Sequence, residues 1–162
     1  MLQLKRFVIL FLCIFLTACG MFEDMPVWLQ KVDFEVSPDA NNRSSFACHI
    51  VLAYNQELAD RLKSMDARSY FSNLNELERT YKDSFELFKY DLIPGKNKVD
   101  QQIQPRSYRS AKAAYVFAKY TTQGRFAESL GNARRVTIRF MPYKMEVIKD
   151  ISLENLTKTL GK

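Results

Sequence analysis

The side chains with the greatest chemical potential are a thiol and an imidazole side by side, Cys48 and His49. A Cys/His pair is the arrangement in which a base turns a thiol into a nucleophile. The surrounding residues argue against that use. Phe46, Cys48, Ile50, Leu52 and Tyr54 alternate with Ala47, His49, Val51 and Ala53, a period of two that predicts a strand with successive side chains on opposite faces. Cys48 and His49 then cannot meet. Cys48 is expected to be a buried structural thiol and His49, the single histidine, a structural or surface residue. The chain has no H-E-x-x-H, no G-x-S-x-G and no C-x-x-C, so neither a metal site nor a nucleophile elbow is suggested. No enzymatic activity, cofactor or small-molecule substrate is expected. Arg106, Arg109, Arg134 and Arg135 could meet an anionic partner, although such charges more often form a solvated face.

A second cysteine chemistry is written near the N-terminus. Lys5 and Arg6 precede ten uninterrupted apolar residues, Phe7 to Leu16, the charged-then-apolar order of an export signal. A bilayer span needs about 20 residues, so the run is too short for a permanent transmembrane helix. It ends in Leu16-Thr17-Ala18-Cys19, which resembles the bacterial lipobox. Two small residues admit the extended backbone to a protease cleft, and the Cys19 sulfur is the nucleophile that takes up diacylglycerol. The competing reading is an ordinary signal peptide with a chance cysteine. The expectation is a signal peptide over 1–18, lipidation at Cys19 and a short tether over 19–26. Two or three acyl chains, at about 0.8 kcal/mol per buried methylene, hold a protein on a membrane in a way that one chain does not. Gly20 is not the aspartate that retains lipoproteins in the inner membrane, so the outer membrane, on its periplasmic face, is the expected location.

Cleavage after Ala18 leaves 144 of the 162 residues, enough for one ordinary domain. The whole chain carries 24 basic and 18 acidic residues. Removing Lys5 and Arg6 leaves a mild excess near +4, which argues against a dedicated nucleic-acid binder. With Cys13 removed and Cys19 acylated, Cys48 has no partner for an internal disulfide, and packing alone must stabilise the domain.

The elements follow from periodicity. Val32, Phe34 and Val36 alternate with Lys31, Asp33 and Glu35, a half-buried strand. Pro, Asp and two Asn within Ser37 to Ser45 predict an exposed loop leading into the Phe46 to Tyr54 strand, and the two strands read as an antiparallel pair. Asn55 is a fair N-cap; Leu58, Leu62 and Met65, then Tyr70, Leu74, Leu77 and Tyr81, keep helical spacing. Residues 56–82 are therefore expected to form two short helices or one kinked helix, broken near Asp66. Further strands are expected at Ser84 to Ile93, ending in a type II turn at Pro94-Gly95, at Lys112 to Thr121, at Arg135 to Met141 and at Lys144 to Lys149. Five or six strands interrupted once by helix predict a mainly β fold, a two-sheet β-sandwich over 27–162 with a helical insertion.

The order of these features resembles the type VI secretion lipoprotein family TssJ. It runs through a lipobox, a short tether, Ser37-Pro38-Asp39 with a polar loop, an alternating strand, an inserted helix, Leu92-Ile93-Pro94-Gly95 and the apolar run Ala113 to Ala118. The resemblance spans roughly Val32 to Tyr120. Ser37 stands where the family usually has asparagine, Ser45 where proline is common, and the helical insertion is long. The resemblance implies a transthyretin-like sandwich beneath the outer membrane that binds the periplasmic part of a large inner-membrane component, TssM, through the loop between its first two strands. Pro38 and Asp39 match the family motif; Ala40, Asn41, Asn42 and Arg43 belong to that loop by position. A structural anchor of this kind is the first reading. The alternative is a small lipoprotein binding module, such as a cell-wall hydrolase inhibitor or a pilotin for another secretion system.

Overall fold

In a computed structural model, residues 27–105 and 111–149 are described. The expected signal peptide, Cys19 and its tether, Arg106 and Arg109 lie outside the described residues.

The first strand, β1 (Lys31–Val36), buries Val32, Phe34 and Val36 as its alternation requires. It runs parallel to β7 (Arg135–Phe140), with Lys31 opposite Arg135 and Val36 opposite Phe140. On its other side it pairs antiparallel with β4 (Lys98–Gln102). The hairpin partner of β7, β8 (Met145–Lys149), completes a four-stranded sheet in the order β4-β1-β7-β8. A second four-stranded sheet has β2 (Phe46–Ala53) between β3 (Phe85–Leu92) and β5 (Ala113–Ala118), with β6 (Ala127–Ser129) at the far edge.

The two sheets face each other across one apolar layer. Val32, Phe34, Val36, Ile138 and Phe140 from the first sheet meet Cys48, Ile50, Leu52, Val116 and Leu92 from the second. Each fully buried Val, Leu, Ile or Phe contributes roughly 1.5–3 kcal/mol, so this layer carries much of the stability of a domain without a disulfide. The fold is the mainly β, two-sheet β-sandwich with a helical insertion that the sequence predicts.

Two expectations are corrected. β1 and β2 are not an antiparallel pair, because they lie in different sheets. Alternation says that each strand has one apolar face, and facing strands of a sandwich satisfy it as well as hydrogen-bonded neighbours do. The described residues also hold eight strands rather than five or six. β4 is a polar edge strand whose register against β1 shifts opposite Val32 to Phe34, and β6 has three residues, so neither shows a usable period.

The insertion forms a third layer. Helix α1 (Gln56–Ser64) starts where the Asn55 side chain accepts a hydrogen bond from Leu58 N at 2.9 Å. Helix α2 (Ala67–Thr80) starts where Asp66 does the same for Ser69 N at 2.7 Å. Met65 and Asp66 between them are extended, so the chain breaks where a new N-cap is available. Leu58, Leu62, Tyr70 and Leu77 pack onto Val51, Ala53, Tyr115 and Phe117 on the outer face of the second sheet. β5 is thus buried on both faces, one covered by the opposing sheet and the other by helices.

Candidate functional site

Strand direction sorts the connections into two ends. The chain enters the fold at Val27, whose N–H bonds to Ala111 O at 2.9 Å, and β1 then runs away from that entry point. At the far end of β1 gather the β1–β2 loop, the β3–β4 turn, the β5–β6 connection and the β7–β8 hairpin.

The β1–β2 loop is held from within. Ser37 N donates to Phe140 O at 3.0 Å, the Ser37 hydroxyl bonds the Asp39 carboxylate, and Ala40 N returns to Ser37 O at 3.0 Å. Asn41, Asn42 and Arg43 then take positive φ of 46°, 55° and 62°, a left-handed turn closed by Ser44 N donating to Asn41 O at 3.0 Å. Three consecutive non-glycine residues in this region cost about 1–2 kcal/mol each, least for Asn, whose side chain can bond locally. Asn41 offsets that cost. Fully buried, it accepts from Thr121 N at 2.6 Å and from Thr121 Oγ1 at 3.0 Å, while its amide donates to Ser44 O at 3.0 Å.

The neighbouring turns brace the loop. Lys96 N donates to Ile93 O at 3.0 Å across Pro94-Gly95, and Gly95 has φ +76°, as a type II turn demands. Gly95 N reaches Val36 O at 3.1 Å and Ser37 O at 3.3 Å, and Asn97 Oδ1 accepts from Val36 N at 2.8 Å. Below the hairpin, Tyr120 stacks on Phe126, packs on Phe46 and donates to Met141 O at 2.9 Å.

Of the residues singled out from sequence, Pro38, Asp39, Asn42 and Arg43 are exposed on this end, whereas Ala40 and Asn41 are fully buried and hold the loop. Two large exposed side chains share the same end and escaped the sequence reading: Ile93 and Tyr143, the latter 77% exposed at the β7–β8 turn. The signal available for Tyr143 was an aromatic inside the turn Met141-Pro142-Tyr143-Lys144, where nothing requires one.

Of the four arginines singled out, Arg134 and Arg135 are among the described residues. Arg135 is engaged on the outer face of the first sheet, with Nε 2.8 Å from Asp33 Oδ2 and its terminal nitrogen 3.0 Å from Asp100 Oδ1. Arg134 lies at the entry end, where its carbonyl accepts from Gln30 N and Lys31 N at 2.8 and 3.1 Å.

Cys48 and His49 face opposite ways. Cys48 is sealed between the sheets, and burial pushes its thiol far above the ordinary range. His49 lies under α2, with Nδ1 3.1 Å from Tyr70 Oη and its ring against Phe71. Burial first, then the nearby Lys89 and Lys119 charges, lower its pKa to about 4 against a smaller opposing effect of Asp91. The imidazole meets a phenol and aromatic rings rather than a nucleophile. A cleft of about 340 Å³ between α2 and the β5–β6 connection contains one carboxylate, Asp66, which is already capping α2. Among the described residues no group of three His, Cys, Asp or Glu could hold a metal ion, and no helix is long and apolar enough to cross a membrane.

Two facing four-stranded sheets with a helical pair on one outer face, and a polar loop bridging the sheets, define a class of small β-sandwich. Two solved proteins have a similar overall fold. Serratia marcescens Lip, described as a membrane-bound component of the type VI secretion system, superimposes with a TM-score of 0.54 at 14% identity, over 75% of this chain and 96% of its own. The type VI secretion lipoprotein TssJ1 from Pseudomonas aeruginosa superimposes with a TM-score of 0.55 at 11% identity, over 78% of this chain and 98% of its own. No protein-family model and no curated relative matches the sequence.

Proposed function

We propose that this protein is a non-enzymatic structural component of a type VI secretion membrane complex. In this reading Cys19 carries the acyl chains and the outer membrane holds them. The sandwich hangs on the periplasmic face, and its loop end binds the periplasmic part of a large inner-membrane component of the TssM kind. The observation that carries the reading is the placement of the loop end. The braced turn presenting Pro38, Asp39, Asn42 and Arg43 sits at the opposite end of β1 from the chain entry that leads back to Cys19. An anchor at one end and a preformed contact surface at the other suit a part that holds something in place. The shared fold of two type VI lipoproteins supports the choice of system.

The test has two arms. Replacing Asp39, Asn42 and Arg43 together by alanine should abolish co-purification with the large inner-membrane component and stop secretion, with the fold unchanged by circular dichroism. Intact recovery and secretion in the folded variant would mean that the contact lies elsewhere. Cys19→Ser should mislocalise the protein and abolish secretion without unfolding it, and a normally working soluble form would sink the anchoring role.

A further inference from the structure

The entry end of the sandwich carries an exposed aromatic that the fold does not use. Val27 and Leu29 are buried, and the alternation turns Trp28 outward, where it is 55% exposed. The segment is not loose. Val27 is bridged to Ala111, while Gln30 and Lys31 are bonded through their amides to Arg134 O. The same bonds bring a cation to each side of it. Lys112 follows Ala111, its own N–H fixed to Ala53 O at 2.7 Å, and Arg134 stands opposite Gln30. Both side chains are exposed, and neither has an ion pair among the described residues.

We propose that this end docks on a lipid surface, with Trp28 in the head-group layer and Lys112 and Arg134 on lipid phosphates. The inference rests on the reading of Cys19 as the acylated residue. The length of chain leading to the domain selects lipid as the occupant. Trp28 is nine residues from Cys19, at most about 30 Å of extended backbone, so an acylated Cys19 keeps the indole near the bilayer throughout. A short tether converts a weak contact into one with an effective concentration in the millimolar range. Indole has an apolar body and one N–H donor, which suits the boundary between acyl chain and head group, and flanking cations complement anionic lipid. Docked this way, β1 points away from the membrane and carries the loop end outward.

Trp28 is the only tryptophan in the chain, so its emission reports this site alone. The full-length lipidated protein is reconstituted into vesicles of phosphatidylethanolamine with phosphatidylglycerol, with and without brominated acyl chains, and Cys19 is checked by mass spectrometry. The expected result is blue-shifted emission that is quenched by brominated lipid. In the Lys112→Ala/Arg134→Ala variant quenching should fall in the anionic vesicles and stay level in zwitterionic ones. Acylated Cys19 with water-like, unquenched emission overturns this inference and leaves the anchor standing. Unmodified Cys19 overturns both. Shielding of Trp28 that appears only on adding a protein partner assigns the surface to protein and also overturns it.

Discussion

Asn41 and Thr121 are 80 residues apart and doubly bonded, the one Asn41 side-chain oxygen accepting both Thr121 N and Thr121 Oγ1. This contact ties the β1–β2 loop to the β5–β6 connection across the two sheets. The exposed face of the loop therefore depends on a residue that no partner could touch. Asn41→Ala would strand the Thr121 amide and leave a left-handed residue without local bonding. Asn41 is fully buried but Thr121 is exposed, so water takes over part of the lost bonding; the bonds are worth about 1 kcal/mol and the backbone adds roughly 1 more. Urea unfolding should show a lowered midpoint at unchanged slope. Partner capture should weaken although Asp39, Asn42 and Arg43 are all present, and full capture would show that the loop needs no prior shape.

His49 sets a pH limit on the helical layer. Its pKa is lowered from 6.5 to about 4, so the unfolded chain takes up the proton first as the medium acidifies. Stability should be complete above about pH 6.5 and decline as pH falls through that window. At 1.36 kcal/mol per unit the loss is at most about 3 kcal/mol, and about 1–2 once solvent screening is allowed for. Asp33 acts lower on the scale. Burial raises its pKa, but the Arg135 and Asp100 bonds outweigh that and hold it below 3.8, so its contribution fades only in stronger acid. His49→Gln should flatten thermal stability between pH 4 and 6.5; an unchanged slope would assign the dependence to other groups.

What could be read from the sequence was whatever a short window contains. Val32, Phe34 and Val36 declare an apolar face within six residues, Asn55 declares a helix start by chemistry completed three residues later, and the helical spacing breaks near Asp66. Pairing is different in kind. The parallel match of β1 to β7 joins Lys31 to Arg135, over a hundred residues away, and no local pattern distinguishes it from pairing with β2. Asn41 shows the same limit at the candidate site. Beside Asn42 it looks like a second exposed loop residue, yet one is fully buried and the other exposed, and only the position of Thr121 decides which. Tyr143 joins the loop end because β7 runs parallel to β1 with Phe140 opposite Val36, a further long-range fact.

The Pro94-Gly95 turn tests backbone strain without a packing change. A Cβ at Gly95 would lie 3.7 Å from Pro38 Cα, ordinary contact, so space is not the constraint; φ +76° is. Gly95→Ala should destabilise by about 1 kcal/mol, and Gly95→Asn by less, because Asn tolerates the left-handed region. Equal losses for the two, measured by chemical unfolding, would point to a clash instead.

Tyr143 separates the width of the contact surface from the integrity of the fold. Its side chain is 77% exposed on a hairpin whose backbone is held by Met141 N on Lys144 O and by Tyr120 Oη on Met141 O. Removing it should leave the hairpin standing, and surface substitutions of this kind change stability by at most about 0.5 kcal/mol. Tyrosine and arginine are the residues on which protein interfaces most often depend, with losses of about 2 kcal/mol or more on truncation. If Tyr143 and Arg43 flank one surface, Tyr143→Ala should weaken partner binding some 30-fold, the factor that about 2 kcal/mol represents. Thermal unfolding should not move. Unaltered affinity in a titration of the purified proteins would confine the contact to the β1–β2 loop, and a fall in both affinity and melting temperature would make Tyr143 a structural residue of the hairpin.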